Sequence, residues 1–380
     1  MFYEDYLEQN KEWIDSVWNK LDSKFSKVTL RSRDKLPSQS DENGVHDHNP
    51  RPFVWTNGFW GGLNWLLYEA TGNEEYMKTA KRSEELMDNS FDVMDVCHHD
   101  TGFIWHLTSG ASYKLTGDKA SRNRNLTMAM ALASRFKLNG GYIRAWNGKW
   151  QGLDNDGWTI IDCMMNIPQL YWASAEIGDD RFKQIAVSHA DMTMRDHVRA
   201  DGSMNHIVFH DLQTGEMIGT HQGQGYAVGS TWTRGESWGL YGFVLSYIYT
   251  KDEKYLNVAK SLANYTIANL AATDWLTPID FRAPEEPVLY DSLAGAIFAA
   301  GLAELAKHVS EHEQKMYITA ALKILKAMEE KFCDWDEDHD SVLGYGSIMY
   351  TKGHHMPIIY GDFFFTEAIL KLRGSKFLIW

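Results

Sequence analysis

A recurring turn constrains this chain more than any other feature. Tyr68-Glu69-Ala70-Thr71-Gly72-Asn73-Glu74-Glu75-Tyr76 returns as Tyr113-Lys114-Leu115-Thr116-Gly117-Asp118-Lys119, as Ala175-Glu176-Ile177-Gly178-Asp179-Asp180-Arg181-Phe182, and as Tyr249-Thr250-Lys251-Asp252-Glu253-Lys254-Tyr255. Each copy reads as the end of one helix, a Gly or polar residue suited to a left-handed cap, and an acidic start to the next helix. An apolar, aromatic-rich segment precedes every turn and an amphipathic one follows it. The repeated unit is therefore a helical hairpin, which needs neighbouring copies to bury its apolar half.

Counting the hairpins gives an architecture. Apolar segments begin near residues 57, 101, 159, 234, 291 and 361, and more polar ones occupy roughly 3–24, 74–93, 120–137, 180–197, 253–270 and 312–333. In the first polar segment Ile14, Val17, Trp18 and Leu21 recur at helical spacing. The sequence predicts an all-α protein of six inner and six outer helices in a closed double ring, with a site where the inner helices' loops converge. Alternation of strand type is confined to short pieces, chiefly around 203–210, where a hairpin or loop is expected. No Pro-rich or low-complexity linker interrupts the chain, so residues 1–380 are read as a single domain.

Charge excludes whole classes of partner. Lys+Arg of 37 against Asp+Glu of 51 gives a net charge of -14, which repels nucleic acid and anionic membrane, and any anionic ligand must be caught by local basic groups. No segment approaches the length of a membrane span, and the first residues lack a basic region followed by an apolar run. Three cysteines, Cys97, Cys163 and Cys333, are sparse and without metal-type spacing, which favours a reduced, cytoplasmic setting.

Two segments carry chemistry. Cys97-His98-His99-Asp100-Thr101-Gly102-Phe103 and Thr159-Ile160-Ile161-Asp162-Cys163-Met164-Met165-Asn166 each set one aspartate among aromatic or apolar residues, where an ionised carboxylate is costly and its pKa tends to rise. Two such groups suit proton transfer on a sugar, although an Asp at a helix start is also the usual N-cap. His98, His99 and His106 invite a metal reading, but they have no closed-ligand spacing, and adjacent histidines on a helix face different directions; no metal and no cofactor is expected. Cys163, lacking a basic neighbour in sequence, reads as a buried thiol rather than a nucleophile. Trp55, Trp146 and Trp232 sit in Gly-rich polar loops, as stacking surfaces for a sugar or as core.

Taken in order along the chain, His98–Phe103, Ile160–Asn166, Gly229-Ser230-Thr231-Trp232-Thr233-Arg234-Gly235 with Trp238-Gly239-Leu240-Tyr241-Gly242, and Gly361-Asp362-Phe363-Phe364-Phe365 resemble the unsaturated glucuronyl hydrolases, glycoside hydrolase family 88. The resemblance implies an (α/α)6 barrel that releases a 4,5-unsaturated uronic acid from the non-reducing end of lyase-generated, glycosaminoglycan-type oligosaccharides. It makes Asp162 the acid/base that protonates C4 of the vinyl ether and helps water add at C5, with Asp100 as its carboxylate neighbour. Trp55, Trp146, Trp232 and Trp238 then match positions around the sugar, and His99, His206 and Gln222 match polar contacts. Arg234 matches the partner of the uronate carboxylate, its alternative being a salt bridge to Glu236 or another acid. Ser347 and Lys352 keep the spacing of contacts to sulfated sugars, while Tyr350 replaces a second Ser. Two other readings stay open at this point: an unsaturated rhamnogalacturonyl hydrolase, and a non-catalytic oligosaccharide-binding barrel whose aspartates would be separated or salt-bridged.

Overall fold

The computed structural model of the chain describes residues 2–150 and 152–380. Its polar helices are α1 (Phe2–Arg31), α3 (Glu74–Leu86), α5 (Lys119–Ala133), α7 (Arg181–Asp196), α9 (Glu253–Leu270) and α11 (Glu311–Lys331). Between them run the apolar ones: α2 (Asn57–Thr71), α4 (Ala111–Thr116, continuing a π-helix over Gly102–Gly110), α6 (Pro168–Ile177), α8 (Thr233–Thr250), α10 (Ser292–Leu305) and α12 (Ile359–Leu372). The four turns work as their residues suggest. Gly72, Gly117 and Gly178 close their helices at φ of 71°, 73° and 67°, and Lys251 does the same at 58°, so the position demands the left-handed turn rather than glycine itself. Asn73, Asp118 and Asp252 then cap the following helix by accepting backbone N–H bonds from Glu75, Ala120 and Lys254.

Burial separates the two rings. Every residue of α10 and of α12 is buried, whereas α1 buries one stripe that includes Ile14, Val17 and Leu21, each worth about 1.5–3 kcal/mol. The inner ring closes on itself: α2 packs on the π-helix, the π-helix on α6, then α6 on α8, α8 on α10, α10 on α12, and α12 back on α2. Outside it, α3, α7, α9 and α11 pack on α2, α6, α8 and α10, α5 on the π-helix, and α1 on α12. The fold is an (α/α)6 barrel. Small residues let α10 sit this close. A Cβ added at Gly301 would come within 2.8 Å of Leu240 on α8.

The third inner segment departs from the pattern. Instead of a helix from residue 159, the chain makes β1 (Trp158–Ile160), a 3-10 turn over Ile161–Met165, and only then α6, with Pro168 at its start. β1 pairs antiparallel with β2 (Ile207–His210), which pairs with β3 (Met217–His221). Trp158, Thr159 and Ile160 are aromatic and β-branched, and the expected 203–210 hairpin supplies the edge that draws them into a strand. Asp162 consequently stands on a short turn at the mouth of the barrel.

Candidate active site

The N-terminal ends of the inner helices gather the chemistry at one end of the ring. Asp100 lies just before the π-helix, Asp162 on the 3-10 turn before α6, Arg234 in the first turn of α8, Asp291 at the N-cap of α10, and Tyr360 in the first turn of α12. Trp55, just before α2, closes the circle with its ring 4.9 Å from that of Tyr360.

Asp100 is held in a fixed clamp. His98 Nδ1 lies 3.0 Å from its Oδ2 and His99 Nε2 3.1 Å from its Oδ1, while Asn166 donates to Oδ1 at 3.3 Å. Burial alone would raise this carboxyl, but His99 and His98 outweigh it and hold the group well below the ordinary range. Both rings face one carboxylate because Cys97, with φ -56° and ψ 136°, belongs to an extended turn. The expectation that adjacent histidines point apart assumed a helix here and is corrected. His106 is elsewhere, buried against Asn125.

Asp162 has the opposite environment. Its side chain is 13% exposed, and Oδ2 has no hydrogen-bond partner among the described residues. Burial and the nearby charge of Asp100 push the carboxyl up to about 7, against the pull of His99 and Arg234. His206 Nε2 stands 3.8 Å from Oδ2, and burial drives this imidazole down to about 3, so it is a neutral neighbour. Two carboxyls whose surroundings pull their acidities apart are able to act as one proton donor and one fixed anion.

Asn166 joins the two aspartates. Its Nδ2 donates to Asp100 Oδ1 and, at 3.2 Å, to the Asp162 carbonyl, while its Oδ1 accepts the Phe103 N–H at 2.8 Å. Gly102 permits the approach, since a Cβ there would lie 2.6 Å from Asn166 Cα. Asn166 closes the Ile160–Asn166 motif, in which only Asp162 and Cys163 stand out as reactive groups by residue type. Its position four residues after Asp162, beside a glycine that follows Asp100, was the available signal.

The remaining candidates divide. His99 Nδ1 bonds Ala145 O at 2.7 Å, and half-buried Trp146 packs its ring on His99. Trp232 stacks on His206 at 4.0 Å between centroids, and Trp55 is half-buried at the mouth. Gln222 offers its carbonyl to His206 Nδ1 at 3.1 Å. Of these, His206 is the one that lies against Asp162, at 3.8 Å; Trp232, itself buried, and Gln222 reach it through His206, and Trp146 through His99. Trp238 does not face the sugar site: it is wholly buried among Phe103, Tyr360 and Phe364, so the core reading replaces stacking. Arg234 spends its fork internally, Nη1 on Asp291 Oδ2 at 2.6 Å and Ser347 O at 2.5 Å, and Nη2 on Ile348 O at 2.8 Å. Its acid partner is Asp291 and not Glu236, whose buried carboxyl is itself pushed upward by desolvation. Ser347 is fully buried and donates its hydroxyl to Tyr290 O at 2.6 Å, which corrects its assignment to a sulfated sugar. Lys352 is exposed on the turn that pairs with Met349. Cys163 is a buried thiol raised by desolvation.

Residues 28–371 match the model of Glycosyl Hydrolase Family 88. The chain is 36% identical over 360 residues to an unsaturated glucuronyl hydrolase of Bacillus sp. (strain GL1), covering 91% of this chain and 93% of that one. It is 30% identical over 336 residues to an unsaturated chondroitin disaccharide hydrolase of Streptococcus pyogenes serotype M1, covering 83% and 80%. The crystal structure of the unsaturated glucuronyl hydrolase responsible for the degradation of glycosaminoglycan, from Bacillus sp. GL1, superposes with a TM-score of 0.87 at 33% identity, over 94% of this chain and 97% of that one.

Proposed function

The chain belongs to Glycosyl Hydrolase Family 88, and from that premise we propose that Asp162 and Asp100 carry out its reaction by hydrating a vinyl ether. The protein is a glycoside hydrolase that releases the unsaturated uronic acid from glycosaminoglycan-type oligosaccharides. The observation that carries the mechanism is the contrast between Asp162, whose Oδ2 is buried and unbonded among the described residues and lies near an anion, and Asp100, locked by two histidines and an amide.

Protonated Asp162 gives its proton to C4 of the C4=C5 bond, and positive charge develops at C5 and the ring oxygen. The fixed anion of Asp100 stabilises that charge. Asp162, now a carboxylate, takes a proton from water as the water oxygen bonds to C5. The hemiketal opens to a ketone at C5, leaving a hemiacetal at C1 that expels the leaving sugar as an alcohol. Arg234, committed to Asp291, supplies positive field rather than a free fork. His99, His206, Gln222, Trp55, Trp146 and Trp232 surround the uronate, and Lys352 reaches toward the next sugar.

Residues 1–380 act as one catalytic domain, supported by a core cluster that runs from Ile14 to Trp380. A reduced, cytoplasmic setting is favoured by three free cysteines, and no helix among the described residues is long and apolar enough to cross a membrane. The net charge of -14 argues against nucleic-acid or membrane partners. The test is loss of the far-ultraviolet absorbance of the C4=C5 bond on incubation with lyase-generated disaccharides. Turnover of glycosaminoglycan fragments is expected; turnover of pectin fragments alone would favour the rhamnogalacturonyl type, and no turnover of either would leave a binding barrel.

A further inference from the structure

The clamp around Asp100 has a second property. His98 Nε2 lies 2.7 Å from Phe53 O, and His99 Nδ1 lies 2.7 Å from Ala145 O. A carbonyl only accepts, so each of these nitrogens carries the ring hydrogen. In the neutral rings His98 Nδ1 and His99 Nε2 therefore present lone pairs, and they meet Asp100 Oδ2 and Oδ1 at 3.0 Å and 3.1 Å, with the Asp100 backbone N–H, 3.3 Å from His98 Nδ1, as the one hydrogen between the groups. Lone pairs aimed at a carboxylate repel it. Such an arrangement calls for positive charge between the groups, either a proton on each ring or a metal ion.

The geometry suits the second as well as the first. All three donor atoms lie within 4.8 Å of one another, the one group of three such donors among the described residues. Both imidazoles are pinned from behind by carbonyls, which is how metal-ligating histidines are commonly oriented. Two neutral nitrogens and one carboxylate oxygen match the preferences of Zn2+, and three protein donors with a fourth position open is a familiar zinc arrangement. Cys97 is not a competing donor, since its Sγ turns to the His98 carbonyl at 3.6 Å.

We propose that His98, His99 and Asp100 bind one divalent transition-metal ion such as Zn2+, and that occupancy stops turnover by engaging the Asp100 carboxylate. The binding stands on the clamp alone; the inhibition rests on the catalytic reading of Asp100. The metal is an inhibitor here and not a cofactor, so the chelator-treated enzyme is the active one.

The test uses the full chain after exhaustive chelation, titrated with Zn2+ by calorimetry while turnover is followed by loss of vinyl-ether absorbance. One equivalent should bind, turnover should fall in step with occupancy, and chelator should restore it. His98→Ala should weaken binding by about a hundredfold, the upper end of what even an outer-shell partner is worth. Unchanged affinity in a folded His98→Ala, which would put the ion on another group such as His354 and His355, overturns the site. If that variant does not fold, Co2+ absorption of the unmodified chain decides: tetrahedral nitrogen–oxygen bands support the site, and thiolate charge-transfer or octahedral bands overturn it. Full turnover at saturating bound Zn2+ would overturn the inhibition and would count against Asp100 as a catalytic group, with the binding result unaffected.

Discussion

Asp162→Asn should inactivate the enzyme and at the same time stabilise it, increasingly as pH rises. In the unfolded chain this carboxyl ionises near 3.8, and in the fold it is pushed up to about 7. Between those values the unfolded state releases a proton that the folded state keeps, so the native group costs nothing below about pH 3.8 and its full penalty above about pH 7. At 1.36 kcal/mol per tenfold in proton affinity, the penalty reaches about 4 kcal/mol at pH 8 and only about 1 kcal/mol at pH 4.5. Asparagine has nearly the same volume and no charge, so it removes the penalty. For 380 residues, an unfolding entropy of about 2.1 cal/mol/K per residue converts 4 kcal/mol into a rise in Tm of roughly 5 °C. Turnover should fall by about a hundredfold to ten-thousandfold, the usual size of general acid–base loss. Scanning calorimetry of both proteins at pH 4.5 and 8, with vinyl-ether decay as the activity readout, measures both arms. A Tm difference that is equal at the two pH values, or a variant less stable at pH 8, would refute the electrostatic argument. More than half of native turnover in the variant would remove Asp162 from the reaction.

Asn166→Ala strips the Phe103 N–H of its acceptor and Asp100 of a donor, so it should cost about 1–3 kcal/mol in urea unfolding. It should also lower kcat by up to about a hundredfold with KM little changed, because the two aspartates lose their common tie. Arg234→Ala leaves Asp291 buried and unpaired and should destabilise by about 3–5 kcal/mol, with Arg234→Lys recovering only part because an ammonium cannot reproduce the fork to Asp291 and two carbonyls. A change confined to KM, with unfolding unmoved, would instead make Arg234 a direct substrate contact. Lys352→Ala, on an exposed turn, should reduce kcat/KM for sulfated disaccharides by at most about fivefold relative to unsulfated ones; an unchanged ratio would reject the contact.

The hairpin count was legible in the sequence because helix periodicity, left-handed caps and acidic helix starts are all local signals. Even Lys251, a non-glycine at a capping position, was readable from the register of its neighbours. The two aspartates were legible for a related reason: a lone carboxylate among apolar residues is conspicuous wherever the chain later places it. What the sequence left undecided concerns partners far apart along it. Whether Thr159 begins a helix or a strand depends on Val208, 49 residues away, lying opposite it in the sheet. Arg234 meets Asp291 rather than Glu236 because the inner ring brings the starts of α8 and α10 together, while the helix directs neighbouring side chains apart. Trp238, inside α8, and Trp232, on the extended residue that caps it, are both buried, but Trp238 packs on Phe103 and Phe364 while Trp232 packs between His206 and Arg234, partners that only the closed ring supplies. The convergence of His98 and His99 on one carboxylate required an extended turn fixed by Phe53 and Ala145, and those contacts exist only once the ring has closed.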